Sequence, residues 1–104
     1  MIQTRIKVLK AIQDHVKEQE RAAVYPLSPP TIRQIMIDIS NKSTSLISWH
    51  IRALVEDGYL VYGHYNQAHM TLKGRFASIT EKNGKLTIKD VAHETHDGSE
   101  VWNG

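Results

Sequence analysis

Residues 29–60, PPTIRQIMIDISNKSTSLISWHIRALVEDGYL, decide how this chain folds. Pro29 and Pro30 are rigid and extended, and a residue that precedes proline avoids helical angles. Thr31 then stands as an N-cap, with Gln34 at the capping-box distance. The Thr hydroxyl would accept from the Gln34 amide, and the Gln side chain would reach back to the cap amide. Ile32, Ile35, Met36 and Ile39 recur at i, i+3, i+4 and i+7, which predicts one buried helix face. Ser40-Asn41-Lys42 interrupts that pattern, and Asn tolerates the left-handed angles that close a turn. Ser43-Thr44-Ser45 offers a second set of N-caps. Ile47, Ile51 and Leu54 predict a second buried stripe, flanked by Leu46 and Val55. Gly58 ends that helix as the residue just past it. Tyr59-Leu60-Val61-Tyr62 are strand formers.

Helix, short turn, helix, strand is the order of a helix-turn-helix, whose second helix enters the DNA major groove. The competing interpretation is an ordinary helical hairpin in a small domain. The outward residues of the second helix favour the first. Ser45, Ser48, Trp49 and Arg52 lie off the apolar stripe, and short hydroxyls and a guanidinium suit base edges and phosphates. Glu56 and Asp57 come only in the last turn. Trp49 is about 100° around the helix from Ser48. It either stacks on a thymine methyl or a sugar, or completes the core beside the strand; the phase favours the DNA side.

From Pro29-Pro30-Thr31-Ile32-Arg33-Gln34-Ile35, through Ser43-Thr44-Ser45-Leu46-Ile47 and His50-Ile51-Arg52-Ala53-Leu54, to Gly58-Tyr59-Leu60, the chain resembles the DNA-binding domain of LexA-type repressors. The resemblance covers roughly Arg5 to Arg75 and implies a winged helix that binds double-stranded DNA. It departs in places. Ser40 and Asn41 stand where the family has glycine and an apolar residue, Met36 and Ile37 replace small or polar residues, and the Glu20–Ser28 connection is longer. The family's self-cleaving Ser/Lys peptidase domain has no counterpart in these 104 residues. DNA binding without autoproteolysis is therefore what the resemblance implies.

With 104 residues, the chain has the size of one domain with one modest core. It contains no cysteine, which excludes disulfides, thiolate catalysis and Cys-based zinc sites. No apolar run approaches a bilayer span, and the N-terminus lacks a signal-peptide core. The expectation is a cytoplasmic, nucleoid-associated protein. Its net charge of +2 is unevenly spread. Residues 1–75 hold ten Lys/Arg against six Asp/Glu, and residues 76–104 three against five. The basic part coincides with the helix-turn-helix.

Ile2 to Glu20 reads as a first helix, with Leu9, Ile12 and Val16 inward, helped by Ile2, Ile6 and Val8. Glu20 to Ser28 is unusually apolar for a connection. It is expected to pack down, as a short strand against the wing, with Tyr25 in the core or at an edge. Tyr59 to His64 and His69 to Leu72 are expected as the two strands of a wing, with Gly63, Asn66 and Gln67 at its tip. His64, Tyr65, Asn66 and Gln67 could donate to the DNA backbone, and Lys73 and Arg75 could anchor at the wing base. Phe76 to Thr80 reads as a strand or a short helical extension. Asn83-Gly84 is a hairpin turn signal, and Leu86 to Lys89 alternates as a strand. His93 to Gly104 is acidic and polar apart from Val101-Trp102. His93-x-x-His96 has metal-like spacing but no second pair of ligands, so no metal is expected. No phosphate-binding glycine loop or nucleophile–base pair occurs, and no enzyme is expected.

The expected architecture is α+β: a three-helix winged helix-turn-helix over residues 1–75, then a C-terminal hairpin extension and acidic tail over 76–104. The expected function is a sequence-specific double-stranded DNA-binding transcriptional regulator of repressor type. Ser45, Ser48, Trp49 and Arg52 would read bases, while Arg33, Lys42, Ser43 and Thr44 fix phosphates. A homodimer on a two-fold site is expected, with the hairpin and tail as its dimer surface; no membrane, small-molecule substrate or cofactor is expected. The alternatives are a winged helix used for protein contacts and a replication accessory of a mobile element.

Overall fold

The computed structural model describes residues 1–90, apart from the side chain of Asn66. Tail features read from the sequence, including His93, His96 and Trp102, lie outside the described residues. Over the described residues the fold is α+β, with four α-helices and two antiparallel hairpins. Helix α1 spans Gln3–Arg21, α2 Ile32–Ile39 and α3 Thr44–Glu56. Strands β1, Leu60–Tyr62, and β2, Ala68–Met70, form the first hairpin. A short α4, Leu72–Phe76, follows, and β3, Ser78–Lys82, pairs with β4, Lys85–Lys89.

The core is built around α1, which packs on α2, α3, α4 and β4. Val8, Leu9, Ala11 and Ile12 meet Ile35 of α2, then Ile47, Ile51 and Leu54 of α3, with Tyr59, Leu60 and Ala77 closing the cluster. Fully burying an Ile or Leu side chain is worth about 1.5–3 kcal/mol relative to leaving it exposed. The ion pairs Lys10–Asp14 and Arg21–Glu18 are solvent-exposed, and such pairs contribute about 0–1 kcal/mol. Apolar burial by α1 therefore dominates. Ile2 is the exception to the expected stripe: it precedes the first turn and is exposed.

The ends of α2 and α3 show how local chemistry sets the turn between them. Thr31 Oγ1 accepts from the Gln34 amide at 3.1 Å. The reciprocal half of the capping box is not made: the Gln34 side chain turns along the helix, where its Nε2 donates to Asp38 Oδ1 at 2.9 Å. Ser40, and not Asn41, takes the left-handed angles, with φ 55°. The amides of Ser40 and Asn41 return to the carbonyls of Ile37 and Met36. At the end of α3 the amides of Gly58 and Tyr59 return to Val55 and Leu54 in the same way. Gly58 has φ 87°, where glycine avoids the Cβ strain.

Three further expectations change. The Glu20–Ser28 connection is no strand: Val24 is exposed and Tyr25 is 67% exposed, while both Gln19 amide atoms hold Ser28. The first hairpin is shorter than expected: at its base the Thr71 amide donates to the Tyr59 carbonyl in register with the ladder, but the Tyr59 amide is turned back to the Leu54 carbonyl at the end of α3. The return strand stops at Met70, and Leu72 opens a fourth helix where three were expected. Thr71 causes this by capping: its Oγ1 accepts from the Gly74 amide at 3.1 Å and donates to the Gly58 carbonyl at 2.5 Å. Buried Gln13 then closes α4, with Nε2 donating to the carbonyls of Gly74 at 2.8 Å and Ala77 at 3.0 Å. Those are carbonyls that a helix end leaves without intrahelical partners.

Of the two sequence options for Phe76–Thr80, a strand forms from Ser78 onward. The Asn83-Gly84 turn behaves as expected, with φ 55° and 76°. The hairpin packs on its own α1 rather than standing free. Gln3 makes the join: its Nε2 donates to the Leu86 carbonyl and its Oε1 accepts from the Leu86 amide, both at 2.7 Å.

Gly74 has no room for a side chain, since a Cβ there would stand 2.0 Å from the Tyr59 carbonyl oxygen. Alanine would gain about 1 kcal/mol of helix propensity, but the backbone clash outweighs it. Gly74→Ala is expected to lower stability by about 2–3 kcal/mol, seen as a lower urea midpoint at unchanged slope. An unaltered midpoint would contradict the close approach.

Candidate nucleic-acid interface

Helix α3 divides cleanly into two sides. Ile47, His50, Ile51 and Leu54 are buried. Ser45, Ser48, Trp49 and Arg52 are exposed, as are Thr44 and Lys42. The helix start is held by its own turn. Asn41 Oδ1 accepts from the Ser43 amide at 2.9 Å, and Ser43 Oγ accepts from the Leu46 amide at 3.1 Å. Ser43 thus spends its oxygen on the cap, while its O–H remains a donor. No acidic residue sits in the first turn, so the positive end of the helix dipole is left uncompensated there.

The first hairpin stands beside this face. Ser48 and Arg52 of α3, Ile32 of α2, and Tyr62 and Ala68 of the hairpin line one open cleft of about 470 Å³. Arg33 follows Ile32 and is exposed. Arg33, Lys42 and Arg52 enter none of the ion pairs found among the described residues. At the far end of the hairpin, His64, Tyr65 and Gln67 are exposed. Tyr65 is 95% exposed and has φ 58°. The Gly63 amide to Gln67 carbonyl bond, at 2.7 Å, closes this tip.

Lys73 and Arg75 are not brought to the face. Lys73 Nζ donates to the Asp57 carbonyl at 2.8 Å, lies 3.8 Å from Asp90 and sits 4.5 Å from the centre of the Tyr59 ring. These contacts are at the C-terminal end of α3. Arg75 pairs with Glu20 near the end of α1. Tyr59 belongs to the same internal network: its hydroxyl donates to Asp90 at 2.7 Å. Burial, then that carboxylate, push its ionisation up to about 12, so it stays a neutral donor at physiological pH.

Sequence reasoning passed over Arg5 and His50. The Arg5 guanidinium lies 4.9 Å from the centre of the Trp49 ring, and its Nε donates to His50 Nδ1 at 3.3 Å. Trp49 is 50% exposed and His50 only 2%. Accepting at Nδ1 requires the His50 proton to be on Nε2. The spacing 47, 50, 54 places His50 on the apolar stripe, a signal present in the sequence. Nothing in the sequence joins Arg5 to it across 45 positions.

Comparison with models of known families, with curated proteins and with solved structures found no match. Among the described residues, no group of three or more His, Asp or Glu side chains could hold a metal ion, and no helix is long and apolar enough to cross a membrane.

His50 titrates below the ordinary imidazole value of about 6.5, first because burial disfavours the cation and then because Arg5 is nearby. Above that value both folded and unfolded chains carry neutral imidazole. Below it the unfolded chain takes up the proton first, so this residue withdraws stability as pH falls. The loss of thermal midpoint between pH 7.5 and 5.5 is expected to be smaller in His50→Asn than in the parent. Equal losses would show that His50 is not the group responsible.

Proposed function

We propose that the protein is a winged helix-turn-helix regulator that binds double-stranded DNA sequence-specifically, with α3 in the major groove and the β1–β2 hairpin as the wing on the backbone. The observation that carries this reading is the outer side of α3. Two hydroxyls, an indole and a guanidinium face solvent there without internal ion pairs, while the inner side is locked in the core. An arginine fork matches the O6 and N7 edge of guanine, and Ser hydroxyls pair with bases or phosphates. Lys42, Ser43 and Thr44 stand at the start of α3, where phosphate is favoured by the amides and the dipole, and Arg33 is exposed in the first turn of α2. The resemblance to LexA-type repressors supports the same reading and a repressor role.

One module of this size spans few base pairs. Two copies on a two-fold site supply the rest, with half-sites about one helical turn apart. Lys73 and Arg75 are left out of the proposed contacts because both are engaged internally.

A second reading, a winged helix for protein contacts, is favoured by Ile37. It is 65% exposed on α2, beside Met36 and Lys42. The wing tip also carries Tyr65 and no Lys or Arg.

Titrating a duplex selected from a random pool separates the two. A regulator with about five phosphate contacts per subunit gives a log–log salt slope of about −4 to −5. Arg52→Ala is expected to weaken the selected duplex by about 1–3 kcal/mol, and Ser48→Ala to erode the preference further. Enrichment of no duplex, or a preference untouched by both changes, rejects the assignment.

A further inference from the structure

Arg5 belongs to α1, yet it reaches the exposed side of α3. Its two contacts use different parts of one group. The guanidinium carbon lies 4.9 Å from the centre of the Trp49 ring. The Nε–H edge meets His50 Nδ1 at 3.3 Å. The Trp49 and His50 rings are themselves 4.9 Å apart and tilted by 58°. His50 is buried on the core side of α3 and cannot move away without opening that core. Arg5 is therefore tethered to a fixed acceptor while the cation attracts the indole. Arg5 also enters none of the ion pairs among the described residues, so no carboxylate competes for it.

An uncovered indole on a helix surface samples several rotamers, and binding then has to freeze one of them. A cation beside the ring favours one arrangement before any partner arrives. The remainder of Trp49 is still in solvent. Its neighbours on the outer side of α3, at i−4 and i+3, are Ser45 and Arg52.

We propose that Arg5 is a positioning residue of the reading face, holding Trp49 in one orientation so that the indole meets DNA beside Ser45 and Arg52. This rests on the DNA-binding reading above. Lysine is a poor replacement. Its ammonium is a point charge without the planar fork that stacks on a ring and donates sideways at once.

Two readouts keep this inference distinct from the reading beneath it. Both use a Trp102→Phe background, which leaves Trp49 as the single tryptophan. Without DNA, acrylamide quenching of Trp49 is expected to rise in Arg5→Lys and in Arg5→Gln. With DNA, Arg5→Lys is expected to reduce the preference for the selected duplex over a scrambled one by about three- to tenfold. Adding Arg5→Lys to Trp49→Leu is expected to remove no further preference, because the two residues share one contact. Arg5→Gln keeps a donor for His50 but no cation, and it gives the same comparison if Arg5→Lys does not fold. Unchanged quenching, unchanged preference or losses that add overturn the proposal, and the DNA-binding reading stands. A parent chain that prefers no duplex overturns both.

Discussion

Burial of one side of α3 against α1 is the constraint on which the rest of the molecule depends. Leu9 and Ile12 of α1 share one buried cluster with Ile47 and Leu54 of α3, so α3 cannot rotate about its axis without exposing a large aliphatic area. A helix turns 100° per residue, so fixing the inner side also fixes which residues face out. The hydroxyls at 45 and 48, the indole at 49 and the guanidinium at 52 are outward as a consequence of packing behind them. Their availability is a property of the core.

The second constraint is the junction between the end of α3 and the start of α4. Thr71 joins them through Gly58 and Gly74, and the Tyr59 carbonyl receives the Thr71 amide. The β1–β2 hairpin is held between these two points, so its base is fixed to α3 and α4 by polar contacts, while its tip is closed by backbone bonds within itself. Gln13 braces the same junction from α1. A buried amide with two carbonyl partners suits this place, because α4 is too short to satisfy its own last carbonyls. A two-strand ribbon this small is marginal alone; here it is clamped at its root.

Much of the central stretch was legible in the residues. The Thr31 and Ser43 caps, both apolar stripes, the Gly58 stop and the Asn83-Gly84 turn depend on neighbours a few positions away, and local rules capture them. The outward set on α3 was legible for the same reason. Contacts across long separations were not. Lys73 and Arg75 look like free cations at the root of a wing, but Asp57 and Glu20 reach them only once α3 and α1 are in place. Leu72 continued a plausible alternation, and nothing in its own spacing revealed that Thr71 would cap a new helix. Tyr25 looked like a core residue because the segment around it is apolar, yet Gln19 holds Ser28 and leaves the bulge outside. Asn41 was the expected left-handed residue, but its side chain is used to accept from the Ser43 amide, and Ser40 makes the turn.

Gln3 has a bearing on how copies of this chain tolerate one another at high concentration. A two-stranded sheet has an outer rim where a strand from another molecule can zip on, the route by which soluble proteins begin to aggregate. Leu86 is the second residue of β4, and both of its main-chain groups are taken by the one carboxamide. An intruding strand would find that rung already occupied. A single glutamine from the opposite end of the chain thus acts as a molecular blocking group along that rim.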